Sequence, residues 1–295
     1  MSNQEIAIIG PTASGKTDLA LSVAHKHDAL ILSLDSLSVY REIDIASAKP
    51  TQEERSGIEH FGIDCISIDE KFNAQVFIEE YERAKKEAQK LNTMLIIVGG
   101  TSFYLKSLLD GLSDMPNISK ENTQKAENLL RDRDEAHRFL HSIDAEHALK
   151  IPKNDSFRML KALELYFETG VPSSKYFKEH PAKPIIEDIV IYNIVTEREL
   201  LRERIMMRTK KMITMGIIDE AAYLETKYGR APNAMKSIGI KEVLEFLDGK
   251  YDKQTLLEQI ATHTAQLAKR QTTFNNGQFS NSINGTLEEL LKRLI

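Results

Sequence analysis

Apolar residues gather along this chain in short unbroken runs: "IAIIG" at 6–10, "ALILSL" at 29–34 and "MLIIVGG" at 94–100. Each is rich in Ile, Leu and Val, lacks polar alternation, and is separated from the next by enough chain for a helix. Strands covered on both faces have this pattern, so a parallel sheet in an α/β fold is predicted. A fourth run, "IVIYNIV" at 189–195, predicts another such strand. Between Leu112 and Pro184 the pattern changes. "ISKENTQKAENLLRDRD" and "DSFRMLKALELYFETG" have helical spacing, the first opened by Ser119 and the second stopped by Gly170. Pro116 and "HPAKP" stand at the joints, so the expected organisation is a core from 1–115 and 185–295 with a helical insertion at 116–184. From Thr196, read as a cap, a long helix runs to Met215 and Gly216, and further helices are predicted near 218–228, 234–247 and 252–271.

Between the first strand and its helix lies "GPTASGKT", which fits G-x-x-x-x-G-K-[ST] through Gly10, Gly15, Lys16 and Thr17. Chance would supply these matched positions in roughly one chain of this length in a hundred. The strand before and the helix after are the context a phosphate-binding loop requires. Gly10 and Gly15 let the backbone of Pro11, Thr12, Ala13 and Ser14 curl until several N–H groups face one anion, and the helix N-terminus adds its positive end. Lys16 would reach the terminal phosphate, and the Thr17 hydroxyl would meet a Mg2+ ion bridging two phosphates. The fold class predicted is α/β, a P-loop NTPase-like parallel sheet core with an inserted all-helical domain.

Composition removes several classes. With 41% hydrophobic and 28% charged residues among 295, the chain can bury a sizeable core, and no apolar run approaches the roughly eighteen residues of a membrane span. "MSNQE" leads into the first strand without a leader pattern, and one cysteine, Cys65, makes no internal disulfide, so a reducing cytoplasmic location is expected. A net charge of −5 neither indicates nor excludes nucleic acid, because a basic cleft can be local.

The loop alone does not say what carries the phosphate. An ATPase places a magnesium-orienting Asp after a neighbouring strand, but "MLIIVGGT" ends in Gly99, Gly100 and Thr101. The best placed acid is Asp35, after "ALILSL", where the crevice of an open α/β sheet lies; it is either a catalytic carboxylate or a turn and cap residue. No Asn-Lys-x-Asp segment suggests a guanine switch. On the helix ending at Met215, Leu201, Ile205, Arg208, Met212 and Met215 share one stripe, so Arg208 either faces an anion or snorkels to the stripe's edge. Arg202, Arg204, Lys210 and Lys211 read as a solvated face, which could also touch nucleic-acid phosphates. Arg158 and Lys161, three apart on a helix of the insertion, suit a phosphate backbone or ordinary surface charge.

Taken in order, "GPTASGKT", "DSLSVYREIDIASAKP", "VGGTSFYLKSLLDGL", "RMLKALELYFETGVP", "MGIIDEA", "SIGIKE" and "AKRQTTF" resemble the successive motifs of the bacterial tRNA dimethylallyltransferases, also called tRNA isopentenyltransferases. The resemblance implies transfer of a dimethylallyl group from dimethylallyl diphosphate to N6 of the adenine 3′ of the anticodon, with the phosphate loop holding a diphosphate leaving group. It implies Asp35, Thr101, Lys16 and Arg208 as catalytic residues, with Thr101 touching the base or Asp35. It also implies tRNA contacts at Asp35, Ser36, Leu37, Ser38, Thr101, Arg158, Lys161, Lys236, Arg270 and Phe274, and an insertion that clamps the anticodon stem-loop while the adenine is extruded into the crevice. The segments "KSIGIKE" and "KRQTTF" would line the tRNA cleft, although Ile240, Phe274 and Asn276 replace the Tyr, Trp and Arg usual in the family and "DIASAKP" replaces "DIGTAKP". The expected partners are tRNA and dimethylallyl diphosphate, with Mg2+, no membrane and a monomer as the working unit. The alternatives are a transferase acting on free adenine nucleotides, which the insertion and the "KRQ" segment disfavour, a small-molecule kinase, and a non-catalytic nucleotide-dependent module.

Overall fold

The computed structural model describes residues 5–295, so the reading of the first four residues lies outside it. Six strands form one sheet: β1 (Glu5–Ile9), β2 (Leu30–Ser33), β3 (His60–Phe61), β4 (Leu95–Gly99), β5 (Val190–Ile194) and β6 (Ile283–Gly285). Their order is β3-β2-β4-β1-β5-β6 and every pairing is parallel. The first three apolar runs become β1, β2 and β4, the central neighbours, and their side chains are almost all buried, as strands sheathed on both faces must be. "IVIYNIV" becomes β5, which is less covered than expected, with Val190 38% exposed, because only three-residue β6 lies beyond it. β3 and β6 were not predicted; two or three residues are too few to show a period.

The helices in chain order are α1 (Lys16–His27), α2 (Gln52–Arg55), α3 (Ala74–Leu91), α4 (Ser102–Asp110), α5 (Lys120–Leu130), α6 (Arg133–Ile143) and α7 (Ala145–Ala148). There follow α8 (Ser156–Thr169), α9 (Ser173–Glu179), α10 (Arg198–Met215), α11 (Ile217–Tyr228), α12 (Ile240–Leu247), α13 (Lys253–Gln278) and α14 (Leu287–Leu294). None of the described helices is long and apolar enough to cross a membrane. Three helix boundaries differ from the sequence reading. Glu197, not Thr196, precedes α10 and caps it without a side-chain bond. The helix expected at 234–247 is a 3-10 turn, Asn233–Lys236, and then α12, because Gly239 at φ +98° breaks it. α13 runs seven residues beyond the expected 271, to Gln278.

Two compact units emerge, one containing the chain up to Ser107 with Ile186–Ile295, the other Leu108–Ile185. The second unit begins upstream of the joint expected at Pro116. Leu108 is held there by the Ile185 N–H, which donates to its carbonyl at 2.8 Å. This unit is entirely helical. Ala126, Ala136, Leu140, Met159 and Leu163 form its own core, with Ser119 and Asp155 capping α5 and α8 through their side chains. In the larger unit, α1 and α14 pack with the sheet through Ile8, Leu19, Val23, Ile96 and Leu290. A separate cluster around Ile43, Met212, Ile217, Leu224, Ile240 and Leu256 joins the loop after β2 to α10, α11, α12 and α13.

Candidate active site

Because β2, β4 and β1 are parallel and adjacent, their carboxyl ends open on one edge of the sheet, where an α/β crevice forms. A cavity of about 720 Å³ lies there. It is lined by the phosphate loop, Asp35–Ser38, Gly99–Thr101, residues 46–50, Ser237–Gly239 and side chains of α10 and α13, all from the larger unit.

The phosphate loop is shaped by its own backbone. Ala13 and Gly15 both take left-handed conformations, φ 63° and 92°, turning the chain into α1. A Cβ at Gly15 would lie 2.8 Å from Leu287 Cδ2, so this position is closed to a side chain by conformation and by α14 together. Thr12, Ala13, Gly15, Lys16 and Thr17 line the cavity, while Gly10, Pro11 and Ser14 are buried. The Lys16 ammonium donates to the Pro11 carbonyl at 2.6 Å, and Thr17 is exposed one residue into the helix.

Arg208 reaches the loop from α10. Its Nη1 donates to Thr12 Oγ1 at 3.1 Å and its guanidinium lines the cavity. Leu201, Ile205 and Met212 are buried on its stripe, but Met215 is 51% exposed and leaves the stripe, its place near the C-terminus of α10 lying past the core. Burial pushes the Lys16 ammonium down to about 7, with Arg208 adding to the shift and Asp35 opposing it. Burial likewise lowers Arg208, and Asp35 again opposes it. The buried Lys16 and the partly buried Arg208 beside one carboxylate make a pocket whose electrostatics favour an added anion.

Asp35 caps the turn after β2, the second of the two readings made of it, and stands on the cavity wall. Its Oδ1 accepts from the Leu37 and Ser38 N–H groups at 2.8 and 3.1 Å, the geometry of a turn-capping aspartate, and the residue also lines the cavity. Thr101 does not bond to Asp35. Its Oγ1 lies 3.4 Å from both the N–H and the hydroxyl of Ser36, and its own N–H donates to Leu34 O at 3.1 Å, tying the ends of β2 and β4 together. Ser38 is buried with its hydroxyl 3.2 Å from Ser33 Oγ. β4 ends in glycines without a carboxylate, so a magnesium-orienting acid of the ATPase kind is missing from that strand.

Other expected residues fall elsewhere. Lys236, Arg270 and Phe274 are not on the cavity wall: the first two are exposed, and Phe274 sits edge-on to Phe279 with ring centroids 6.2 Å apart. Their neighbours line it instead, Ser237 to Gly239 in one segment and Gln271 in the other. Ile240 is fully buried in the core, so it presents nothing to a ligand. Gln271 was missed, although Ile260, Thr264, Leu267 and Gln271 follow at helical spacing and all face the cavity; its Oε1 accepts from Thr12 N–H at 2.8 Å. Arg204 was assigned to the solvated face, yet its Nη1 reaches Ser14 O at 3.4 Å because the side chain is long enough to cross from α10 to the loop.

The helical unit carries its own groove of about 320 Å³, whose lining includes Met115, Lys150, Phe157, Arg158, Lys161 and Phe177. Arg158 pairs with Asp155 at 3.4 Å and Lys161 with Glu164 at 2.7 Å, so both are also held by their own helix. Phe157 is 69% exposed, with the Lys161 ammonium 5.9 Å from its ring centre.

Comparison with known proteins adds an independent view. The family model described as IPP transferase matches residues 38–278. The tRNA dimethylallyltransferase of Sulfurovum sp. (strain NBC37-1) is 52% identical over 293 residues, covering 99% of this chain and 97% of that relative. That of Helicobacter pylori (strain ATCC 700392 / 26695) is 44% identical over 285 residues, covering 97% of this chain and 91% of its own. Among solved structures, the tRNA delta(2)-isopentenylpyrophosphate transferase of Staphylococcus epidermidis aligns with TM-score 0.70 and 32% identity, covering 99% of this chain and 97% of that one. A eukaryotic dimethylallyltransferase acting on tRNA aligns with TM-score 0.83 and 26% identity, covering 97% of this chain and 75% of that one.

Proposed function

The chain belongs to the IPP transferase family, and from that premise we propose that it transfers a dimethylallyl group from dimethylallyl diphosphate to N6 of the adenine 3′ of the anticodon in tRNA, releasing diphosphate. One observation carries the site reading: a single cavity is lined by Lys16 of the phosphate loop, by Arg208 of α10 and by the Asp35 carboxylate after β2. In this reading the adenine N6 attacks C1 of the dimethylallyl chain as the bond from C1 to the diphosphate oxygen breaks. The electron pair leaves with the diphosphate, and the N6 proton passes to Asp35. An exocyclic amine is a weak nucleophile because its lone pair is delocalised into the ring, so a positioned acceptor for its proton lowers the barrier. Lys16, Arg208 and the loop amides stabilise the charge that grows on the departing oxygens. Thr101 holds the Asp35–Ser38 turn through Ser36 and acts on the base from there.

A Mg2+ ion fits the Thr17 hydroxyl, exposed at the cavity beside Lys16. Among the described residues no group of three or more His, Cys, Asp or Glu is disposed to hold a metal, which suits an ion held chiefly by substrate phosphates. It would supply further positive charge to the leaving group. The helical unit grips the anticodon stem-loop through the basic, partly apolar groove around Arg158 and Lys161, and the target base is extruded to reach the cavity. The chain works as a monomer in the cytoplasm.

The test is mass analysis of nucleosides from tRNA incubated with the protein, magnesium and dimethylallyl diphosphate. N6-dimethylallyladenosine next to the anticodon is expected. Hydrolysis of ATP without any prenylated adenosine would replace this reading with a kinase-like one.

A further inference from the structure

The "MGIIDEA" segment supplied no site residue, yet its helix, α11, holds one stretch of the cavity wall from two points. The Glu220 carboxylate accepts three consecutive backbone N–H groups, from Asp44 at 2.8 Å, Ile45 at 2.7 Å and Ala46 at 2.9 Å. Consecutive amides converging on one point form an anion-binding concavity, and here the anion is built into the protein. The grip is returned from the loop. Glu42, at φ +68°, sends its carboxylate to α11, where Tyr223 donates at 2.9 Å, Lys227 at 2.6 Å, and Tyr228 donates as well. The Lys227 ammonium, followed by the two tyrosine hydroxyls, holds the Glu42 carboxyl down to about 2. A third tie comes from Lys49, whose buried ammonium is saturated by Tyr40 O at 2.7 Å, Asp44 at 2.9 Å and Asp64 at 2.6 Å.

What these ties hold is a face of the cavity. Residues 46–50 line it together with Ser237–Gly239. The second segment rests on the first: a Cβ at Gly239 would lie 3.6 Å from Ala46 Cβ and 3.3 Å from Ile217 of α11. Gly239 is fixed in turn by Glu242, which is buried and accepts its N–H at 2.6 Å. Neither segment bonds to the phosphate loop through any of these groups.

We propose that Glu220 is a positioning residue for the nucleic-acid half of the reaction, holding residues 44–50 and, through Gly239, the neighbouring Ser237–Gly239 wall in the shape that receives the extruded adenine. This rests on the function proposed above. A glutamine at 220 offers one acceptor oxygen and turns an N–H2 toward amides that are themselves donors, so the convergent contact cannot be kept intact.

The experiment compares wild type with Glu220→Gln in steady-state prenyl transfer with tRNA varied, in direct titration of tRNA, and in calorimetry with dimethylallyl thiodiphosphate. The KM and the dissociation constant for tRNA should rise about tenfold, kcat should change less, and affinity for the diphosphate analogue should stay within about twofold. Tyr228→Phe removes one donor to Glu42 and should shift the tRNA values in the same direction by less. If Glu220→Gln does not fold, Tyr228→Phe decides by the same comparison. Unchanged tRNA values in the folded variant, or loss of diphosphate affinity in parallel with tRNA affinity, would overturn the proposal. A wild type that forms no prenylated adenosine refutes the function proposed above, whereas the tRNA titration judges the brace by itself.

Discussion

The phosphate loop is one uninterrupted segment, shaped by left-handed turns at Ala13 and Gly15 and by the strand and helix at its ends. The wall around Asp35, by contrast, is gathered from the turn after β2, the end of β4, residues 46–50 and Ser237–Gly239. The loop's path is set locally, and distant Arg204, Arg208 and Gln271 then bond to a chain already turned. The other wall depends on charged groups saturated by several partners, distant Glu220 and the wall's own Lys49 foremost. An anion is recognised by convergent backbone amides, which a local sequence can program. A base carried on a large polymer is recognised by a surface, which must be assembled from separate pieces and then stiffened.

The sharpest way to break this contrast is at the phosphate side. Lys16→Ala is expected to lower kcat/KM for prenyl transfer by about 10³ and to weaken the diphosphate analogue as well, since the ammonium acts on both bound and departing charge. Transfer at the wild-type rate would remove the loop from the chemistry. Asp35→Asn is next, at about 10² in kcat, with tRNA and diphosphate affinities within a few-fold. The Asn side chain keeps the Oδ1 that receives Leu37 and Ser38, so the turn survives and only the proton acceptor is lost. If turnover is unaffected, Asp35 is a turn residue and nothing more.

The depressed Lys16 supplies a test in pH. In the free protein its pKa is about 7, because burial and Arg208 disfavour the charged form, and a bound diphosphate stabilises the ammonium and raises it again. Binding above pH 7 therefore takes up a proton, and affinity falls as pH rises from about 7 toward the bound-state value, by up to about tenfold per unit. Calorimetry in buffers of different ionisation enthalpy reads this uptake directly. Its absence in the wild type, or its persistence in Lys16→Ala, would assign the proton to another group.

Smaller effects belong to the helical unit and to the hinge of the phosphate loop. Arg158→Glu with Lys161→Glu should raise the tRNA KM several-fold, flatten its salt dependence, and leave diphosphate affinity alone. Equal tRNA kinetics across salt concentrations would show that the groove around Phe157 is only surface. Gly15→Ala should cost about 1–2 kcal/mol in unfolding free energy, from the left-handed conformation and the approach to Leu287. Denaturant unfolding measures it, and an unchanged midpoint would mean that α14 yields freely.

Local rules made the strands β1, β2 and β4, the phosphate loop and the caps at Ser119 and Gly170 legible in the sequence, because each depends on neighbours a few residues apart. Arg208 was legible as a charge on an apolar stripe, though not as a partner of Thr12. Gln271 lay in a segment already singled out, and helical phase would have preferred it to Arg270. The reach of Arg204 to Ser14 and the turning of Ile240 into the core gave no such signal, since both depend on how α10, α12 and α13 pack. Thr101 was placed at the right strand end but bonds to Ser36, a choice made by the register of β2 against β4. What the sequence by itself determined is the glycine-turned loop and the parallel core that carries it, because a strand, a glycine turn and a helix start write their own geometry. Only the tertiary structure decided which side chains face the cavity and which residue braces its far wall. Glu220 meets the amides of Asp44 to Ala46 across more than 170 residues of chain, and no local rule spans that distance.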